Sequence, residues 1–486
     1  MQPMRVLHYP NVWLMYNGEI YNYRQLQKQF DFHYTTQCDG EAIIHLYNRG
    51  GIEFAARHLD GVFAFCLFDT EKRKVYLGRD TFGVKPLYHV IKEDGSLSVC
   101  SEVKGLMDTV GDQLIYRIQR VLPGHVQIYS LDIQYRASLE CCESFHYVGA
   151  NPVYNITTTI GEDVKTNIRT LLRSAVDKRL MSERRIGCLL SGGVDSSLVT
   201  SLVVDLAKER KLPYRIQTFS IGMEGSPDLA SARKVANHLG TEHHEVIVTP
   251  QEAIDVIDDV IYHLETYDII TIRGSIGMYL LCEYVKEHTD TTVILSGEGA
   301  DEVAQGYIYF KEAPSAEDSD KESRRLCKDI SMFYVQRVDR MSSAFGLEIR
   351  VPFLDHTFTN YYLSLDPALR APKKGIEKYL LRSAFEDMDI IPREVLWRQK
   401  EGFSDGLTSP TKSWYQMIQD FVEEEINDLA VQDYFINPPL TKESLYYRRI
   451  FEGFFSGQGH LIPYFWMPKW SKSSDPSART LDSYKH

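Results

Sequence analysis

Apolar and polar positions follow two different rhythms along this chain. Over residues 1–140 the apolar positions fall in short runs broken by tight polar turns. Residues 12–16 (VWLMY) predict one strand, and residues 62–68, entered through Gly61, predict another. Residues 74–78 predict a third, paired with the second across the turn Asp69-Thr70-Glu71-Lys72-Arg73. A helix is predicted at 41–48, where Ile43, Ile44 and Tyr47 share a face. Residues 141–162 carry Gly, Asn, Pro and Thr without a period and predict a linker.

From 163 onward strands and helices alternate. Helices are predicted at 164–178, after Gly193, at 228–239 and at 279–287; strands are predicted at Ile186, 216–221, 245–248 and 292–295. Such alternation predicts a parallel sheet, with ligands at the carboxyl ends of its strands. Beyond 327 helices dominate, and residues 311–325, rich in Glu, Asp, Ser and Lys, predict a solvated, mobile loop. A length of 486 residues fits this division into 1–140, a linker at 141–162, and 163–486.

Composition narrows the class. The net charge of −13 argues against a nucleic-acid scaffold held by bulk charge, though not against a nucleotide substrate in a local positive pocket. The 8 cysteines form no CxxC pair, which disfavours zinc and dithiol chemistry and fits free thiols in a reducing compartment. No apolar run approaches about 18 residues, so no membrane span is expected. The start lacks a signal peptide's apolar core, and the expectation is a cytoplasmic protein.

The most informative chemistry lies at Ile186-Gly187-Cys188-Leu189-Leu190-Ser191-Gly192-Gly193-Val194-Asp195-Ser196-Ser197. It reads as a buried strand, a glycine turn and the first turn of a helix, which aims backbone N–H groups and the helix dipole at one spot. That spot suits a phosphate or pyrophosphate; an ordinary strand-to-helix turn is the alternative. A Walker loop is excluded, because no Lys follows the second glycine. A second strand-then-Ser-Gly sequence, Ser296-Gly297-Glu298-Gly299-Ala300-Asp301-Glu302, carries three carboxylates. These would hold Mg²⁺ or take a proton, or would merely stabilise a helix N-terminus. Arg340, and Lys400 in Arg398-Gln399-Lys400-Glu401-Gly402-Phe403, are cations of the kind that loss of pyrophosphate needs. Near the start, Asn17-Gly18 reads first as a turn, and second as an oxyanion hole with Glu19 and Asp39 as ammonium-binding carboxylates.

Taken together these motifs resemble glutamine-dependent asparagine synthetases over nearly the whole chain, and Ser-Gly-Gly-Val-Asp-Ser resembles the PP-loop of ATP pyrophosphatases. Further matches are Asp39-Gly40-Glu41, Gly78-Arg79-Asp80, Leu264-Glu265-Thr266-Tyr267-Asp268, Arg350-Val351-Pro352-Phe353-Leu354-Asp355 and Trp466-Met467-Pro468-Lys469-Trp470, the last resembling animal enzymes. The resemblance implies a mixed α/β and α+β chain. An N-terminal-nucleophile amidotransferase domain of stacked antiparallel sheets with helices would precede a PP-loop domain with a parallel sheet and a helical C-terminal part. It implies hydrolysis of glutamine, ATP- and Mg²⁺-dependent conversion of aspartate to β-aspartyl-AMP, and displacement of AMP by ammonia delivered through an internal tunnel. Leu190 and Ile221 would line the ATP site. Ser191, Gly192, Gly193, Ser196 and Ser197 would cradle pyrophosphate. Asp195 and Asp301 would hold Mg²⁺, Ser296 and Gly297 would touch the nucleotide, and Glu298 would take the proton of attacking ammonia. Lys400 and Arg340 would neutralise phosphate charge, and Arg273 would meet aspartate. Asn17 and Gly18 would form the oxyanion hole, with Glu19 and Asp39 on the glutamine amino group. The partners implied are these small molecules, with no nucleic acid and no membrane, and a homodimer is allowed.

Departures from the pattern accompany the matches. The family begins with a nucleophilic cysteine, whereas this sequence begins Met1-Gln2-Pro3, so its amidotransferase domain is expected to be incomplete and the synthetase to run on free ammonia. Ile270 and Gly274 stand where the family carries Thr and Ala, which bears on aspartate affinity. Two other readings stand beside the main one: a related adenylating amide synthetase of the β-lactam-synthetase kind, and a truncated subunit that only pairs with a full-length partner.

Overall fold

The computed structural model describes residues 2–110, 116–146, 161–400, 407, 412–427 and 434–484. They fall into two compact units, one formed by Met1–Val148 with Glu452–Leu461, the other by Gly149–Phe451 with Ile462–His486.

In the first unit, strands β1 (Val12–Ile20), β2 (Gly61–Asp69), β3 (Lys74–Arg79), β7 (His125–Leu131) and β8 (Ala137–Ser144) form an antiparallel sheet in the order β1-β2-β3-β7-β8. Strands β4 (Tyr88–Ile91), β5 (Leu97–Cys100) and β6 (Gln119–Arg120) form a smaller one. One face of the large sheet packs Leu14, Phe63 and Phe65 against Ile43, Ile44 and Tyr47 of the helix Glu41–His58. The other face packs Ala64, Cys66 and Leu77 against Leu87 and Val121. Alternate residues of β2 thus enter two different cores, which is why that strand reads as apolar from Val62 to Phe68. Gln458 closes this unit from far along the chain: its amide accepts from Ile118 N (3.1 Å) and donates to Tyr116 O (3.1 Å).

Two expectations change here. Residues 141–144 are strand rather than linker, paired in β8 with β7, while 147–160 lie outside the described residues. Asn17-Gly18 is no turn: both lie inside β1, opposite Ala64 and Phe63. Gly18 has φ of +135°, and a Cβ there would come within 2.0 Å of Val62 O, so β1 can pass β2 at this point only as glycine.

The second unit is built on a fully parallel sheet of β9 (Arg185–Leu189), β10 (Gln217–Gly222), β11 (Glu242–Ile247), β12 (Thr291–Leu295) and β13 (Glu348–Arg350) in the order β11-β10-β9-β12-β13. The chain leaves β9 toward β10 on one side and returns later as β12 on the other. The carboxyl end of β9 is therefore a topological switch point, where a crevice opens. Helices Val194–Glu209, Pro227–Leu239 and Ile269–His288 connect the strands. Ser226 caps the second of these through Asp228 N, and Asp268 caps the third through Thr271 N.

The segment 311–325 is not a loop. Ser315 caps a helix, Ala316–Asp329, that buries Ser319, Glu322, Ser323, Leu326 and Cys327. Its inward stripe is spaced three and four apart but is made of serine, cysteine and a carboxylate that accepts from Tyr309 Oη (3.0 Å), so hydropathy alone concealed it. No helix among the described residues is long and apolar enough to cross a membrane.

Candidate active site

The first Ser-Gly turn begins at the end of β9. Gly192 has φ of +74°, and a Cβ there would come within 2.5 Å of Ala232 N in the next helix. Its carbonyl instead accepts from Ser231 Oγ at 2.8 Å. Gly193 is different: its nearest neighbour would be Ser191 Oγ at 3.5 Å, so the missing side chain leaves open space above the helix N-terminus. Ser191 Oγ and Ser196 Oγ lie 3.1 Å apart across the loop.

Beside β9, β12 ends in Ser296-Gly297-Glu298. A Cβ on Gly297 would come within 2.7 Å of Ser196 N, so this second Ser-Gly step packs directly onto the first turn of the PP-loop helix. The two loops wall a cavity of about 150 Å³, lined on its apolar side by Phe219, Ile221, Met278 and Leu281. Its polar lining includes Ser191, Gly193, Asp195, Ser196, Ser296, Glu298, Asp301 and Lys400.

A charge array closes one end. Lys378, fully buried, places Nζ 2.5 Å from Asp195 Oδ2 and 2.6 Å from Asp301 Oδ1. Lys400 Nζ lies 2.7 Å from Asp301 Oδ2. Burial alone would raise the Asp301 pKa, but the two ammonium groups outweigh it and hold the carboxyl well below the usual range. Burial likewise works against the charge on Lys400, and Asp301 and Asp195 overcome it, so its pKa is raised. Gly306 makes the array possible, since a Cβ there would come within 2.0 Å of Asp301 Oδ1 and 2.8 Å of Lys378 Nζ. The neighbouring Glu302 has no such help. Burial, then the charges of Asp301 and Glu298, push its pKa up to about 8, and it is held by Tyr307 Oη at 2.5 Å.

Glu298 is gripped by Arg337. Arg337 reaches it over Gly274, whose Cβ, if present, would stand 2.4 Å from Arg337 Nη1. The absence of a side chain at Gly274 therefore makes room for a guanidinium. Ile270 lines the cavity with an apolar side chain.

Several sequence expectations move. Arg340 does not reach the cavity: it is buried against Glu265, with Nη2 2.8 Å from Oε2. Arg337, one turn earlier on the helix Tyr334–Ala344, lines the cavity in its place. Arg273 also fails to reach it, because Glu443 and Asp475 take both edges of its guanidinium. Ser197 gives its hydroxyl to Gly193 O (2.7 Å), and Gly192 lies behind the loop, so neither lines the cavity. Leu190 lines it while also packing with Ala232 and Val235. Phe403 and its neighbours at 401–406 lie outside the described residues. Lys378, Arg337 and Arg398 were missed. Arg398 binds Asp228 Oδ1 at 2.6 Å beside the PP-loop. Only Arg398 sat in a motif, and nothing local marks a buried lysine whose partners are 183 and 77 residues away.

In the first unit, Asp39 accepts from Tyr16 Oη (2.6 Å) and Ile20 N (2.5 Å), so both its oxygens are engaged. Asn17 and Glu19 lie beside Gly18 on β1.

A parallel sheet with a Ser-Gly-Gly turn at its switch point, together with a unit of stacked antiparallel sheets, fits a two-domain amidotransferase. The asparagine synthase family matches residues 167–326 and 311–474, and the glutamine amidotransferase domain matches 1–126. Asparagine synthetase [glutamine-hydrolyzing] of Gallus gallus is 54% identical over 500 residues, covering 100% of this chain and 89% of that protein. The proteins of the same name from Bos taurus and Homo sapiens are 51% and 50% identical over 498 residues, again covering 100% of this chain and 89% of theirs. The chain belongs to the glutamine-hydrolysing asparagine synthetase family.

Proposed function

We propose that the chain makes asparagine from aspartate at the expense of ATP, through an acyl-adenylate, with nitrogen derived from glutamine. The observation that carries this reading is the convergence of the two Ser-Gly loops on one cavity, with acids and ammonium groups interleaved at one end.

ATP would place its purine among Phe219, Ile221 and Met278 and its phosphates on the loop at Ser191, Gly193 and Ser196. The aspartate side-chain carboxylate attacks the α-phosphorus, the bond to the β-phosphate oxygen breaks, and pyrophosphate leaves with charge that the helix N-terminus and Lys400 offset, while Lys378 holds Asp195 and Asp301 in position. Asp195 Oδ1 is buried and has no partner in the described structure, which fits a cation-binding role. Asp195 and Asp301 would hold Mg²⁺ together with phosphate oxygens, as two carboxylates commonly do. Mg²⁺ would supply further neutralisation of the phosphates. Ammonia then attacks the acyl carbon, the acyl C–O bond breaks, AMP leaves, and Glu298 takes the proton from nitrogen. In the first unit Asn17, Gly18, Glu19 and Asp39 would bind glutamine, Asp39 exchanging its bond from Tyr16 for the substrate's ammonium.

The test supplies ATP, Mg²⁺ and aspartate with either ammonium or glutamine. AMP, pyrophosphate and asparagine should appear in equal amounts, and Asp195→Asn and Glu298→Gln should abolish them. ADP as the product, or unchanged AMP release in both variants, would overturn the proposal.

A further inference from the structure

We infer that the Arg273–Asp475 ion pair latches the C-terminal segment into place as a wall of the reaction cavity, and that this wall keeps water from the acyl-adenylate. The inference rests on the adenylate reading above and adds a positioning role to a residue that the sequence had assigned to substrate.

Arg273 projects from the helix Ile269–His288, the same helix that gives Ile270, Met278 and Leu281 to the cavity. It is 1% exposed. Nε and Nη2 bind Glu443 at 2.8 and 2.5 Å, and Nη1 and Nη2 bind Asp475 at 2.9 and 2.8 Å. A guanidinium engaged on both edges in this way is fixed in two directions, with little freedom left to seek a ligand.

Asp475 is the knot of a compact turn. Oδ1 also accepts from Ser477 N (2.8 Å), Oδ2 from Gln419 Nε2 (2.9 Å), and its carbonyl from Ser473 Oγ (2.9 Å) and Thr480 Oγ1 (3.2 Å). The residues that follow this knot, Pro476, Ala478 and Leu481, line the cavity and offer it no polar side chain. The Arg273–Asp475 pair is therefore the charged anchor of an apolar stretch of wall, with Gln419 as a neutral one.

Closure matters because the adenylate has two fates. Ammonia forms a C–N bond as the acyl C–O bond breaks, giving asparagine and AMP. Water forms a C–O bond as the same acyl C–O bond breaks, giving aspartate and AMP and passing its proton to Glu298 or to solvent. The second path consumes ATP with no amide made. Both paths share one electrophile and one leaving group, so the ratio between them follows from which nucleophile gains access.

The experiment uses the full chain with ATP, Mg²⁺, aspartate and saturating ammonium, and reads AMP formed per asparagine. It also measures incorporation of ¹⁸O from labelled water into aspartate. In the parent protein the ratio should lie near one. Asp475→Asn, which keeps the size of the side chain while weakening the latch, should raise it roughly threefold or more. Leu481→Ala, which opens the wall without touching the ion pair, should raise it as well, so the test does not depend on one variant folding. Label should enter aspartate in step with the excess AMP. A ratio that stays near one in both variants, with or without a slower turnover, overturns the latch. ADP formation or failure of adenylation in the parent protein would instead overturn the reaction reading, so the two failures are distinguishable.

Discussion

Removal of Lys378 is the sharpest test of the charge array. Its Nζ stands 2.5 Å from Asp195 and 2.6 Å from Asp301. At an effective dielectric of about 20, each contact carries roughly 6 kcal/mol of gross attraction, most of it offset by the desolvation of three charges. Substitution by methionine keeps the length of the side chain and removes the charge. Asp195 Oδ1 already lacks a partner in the described structure, so the variant leaves that carboxylate buried with neither oxygen bound, while Asp301 retains Lys400. Breaking a buried pair from one side costs about 3–5 kcal/mol. Asp195 and Asp301, which line the cavity, also lose the ammonium that positions them, with an expected fall of roughly a hundredfold in kcat/KM for ATP. Denaturant unfolding and pyrophosphate release measure the two effects separately. Unfolding within about 1 kcal/mol of the parent, together with pyrophosphate release within roughly threefold, would refute the assignment.

Other expectations follow from the same geometry. Gly192→Ala places a Cβ 2.5 Å from Ala232 N at a positive φ and should destabilise the fold severely, whereas Gly193→Ala meets only Ser191 Oγ at 3.5 Å and should fold normally but bind ATP weakly; thermal melts and nucleotide titration separate the pair. Arg340→Gln should lower unfolding stability by about 3–5 kcal/mol, and its folded fraction should keep its ATP affinity, since Arg340 pairs with Glu265 outside the cavity. Glu302 titrates near 8 in the folded chain against an ordinary 4.5, so the folded state holds the extra proton across that window. Its contribution to stability is complete below the lower value and is lost as pH rises through the upper one, at about 1.4 kcal/mol per pH unit. Glu302→Gln should remove that slope, and the gap between variant and parent melting curves should widen in favour of the variant from mildly acidic to mildly alkaline pH.

The sequence by itself determined where the two Ser-Gly turns that border the cavity begin. Leu189-Leu190-Ser191-Gly192-Gly193 and Leu295-Ser296-Gly297-Glu298 were legible because strand periodicity, glycine and helix start are local signals, fixed by backbone sterics within a few residues. Tertiary structure decided what those loops meet. The parallel order β10-β9-β12 sets them side by side, and no local signal records strand order. It also chose among similar cations. Arg337 and Arg340 differ by three positions on one helix, yet the first faces Glu298 and the second a buried Glu265. Arg273 looked like a substrate ligand until Glu443 and Asp475, 170 and 202 residues away, came to occupy it. The physical reason is common to all of these. A charge is assigned by whichever opposite charge folding brings within a few ångströms after water is removed, and chain separation carries no information about that distance.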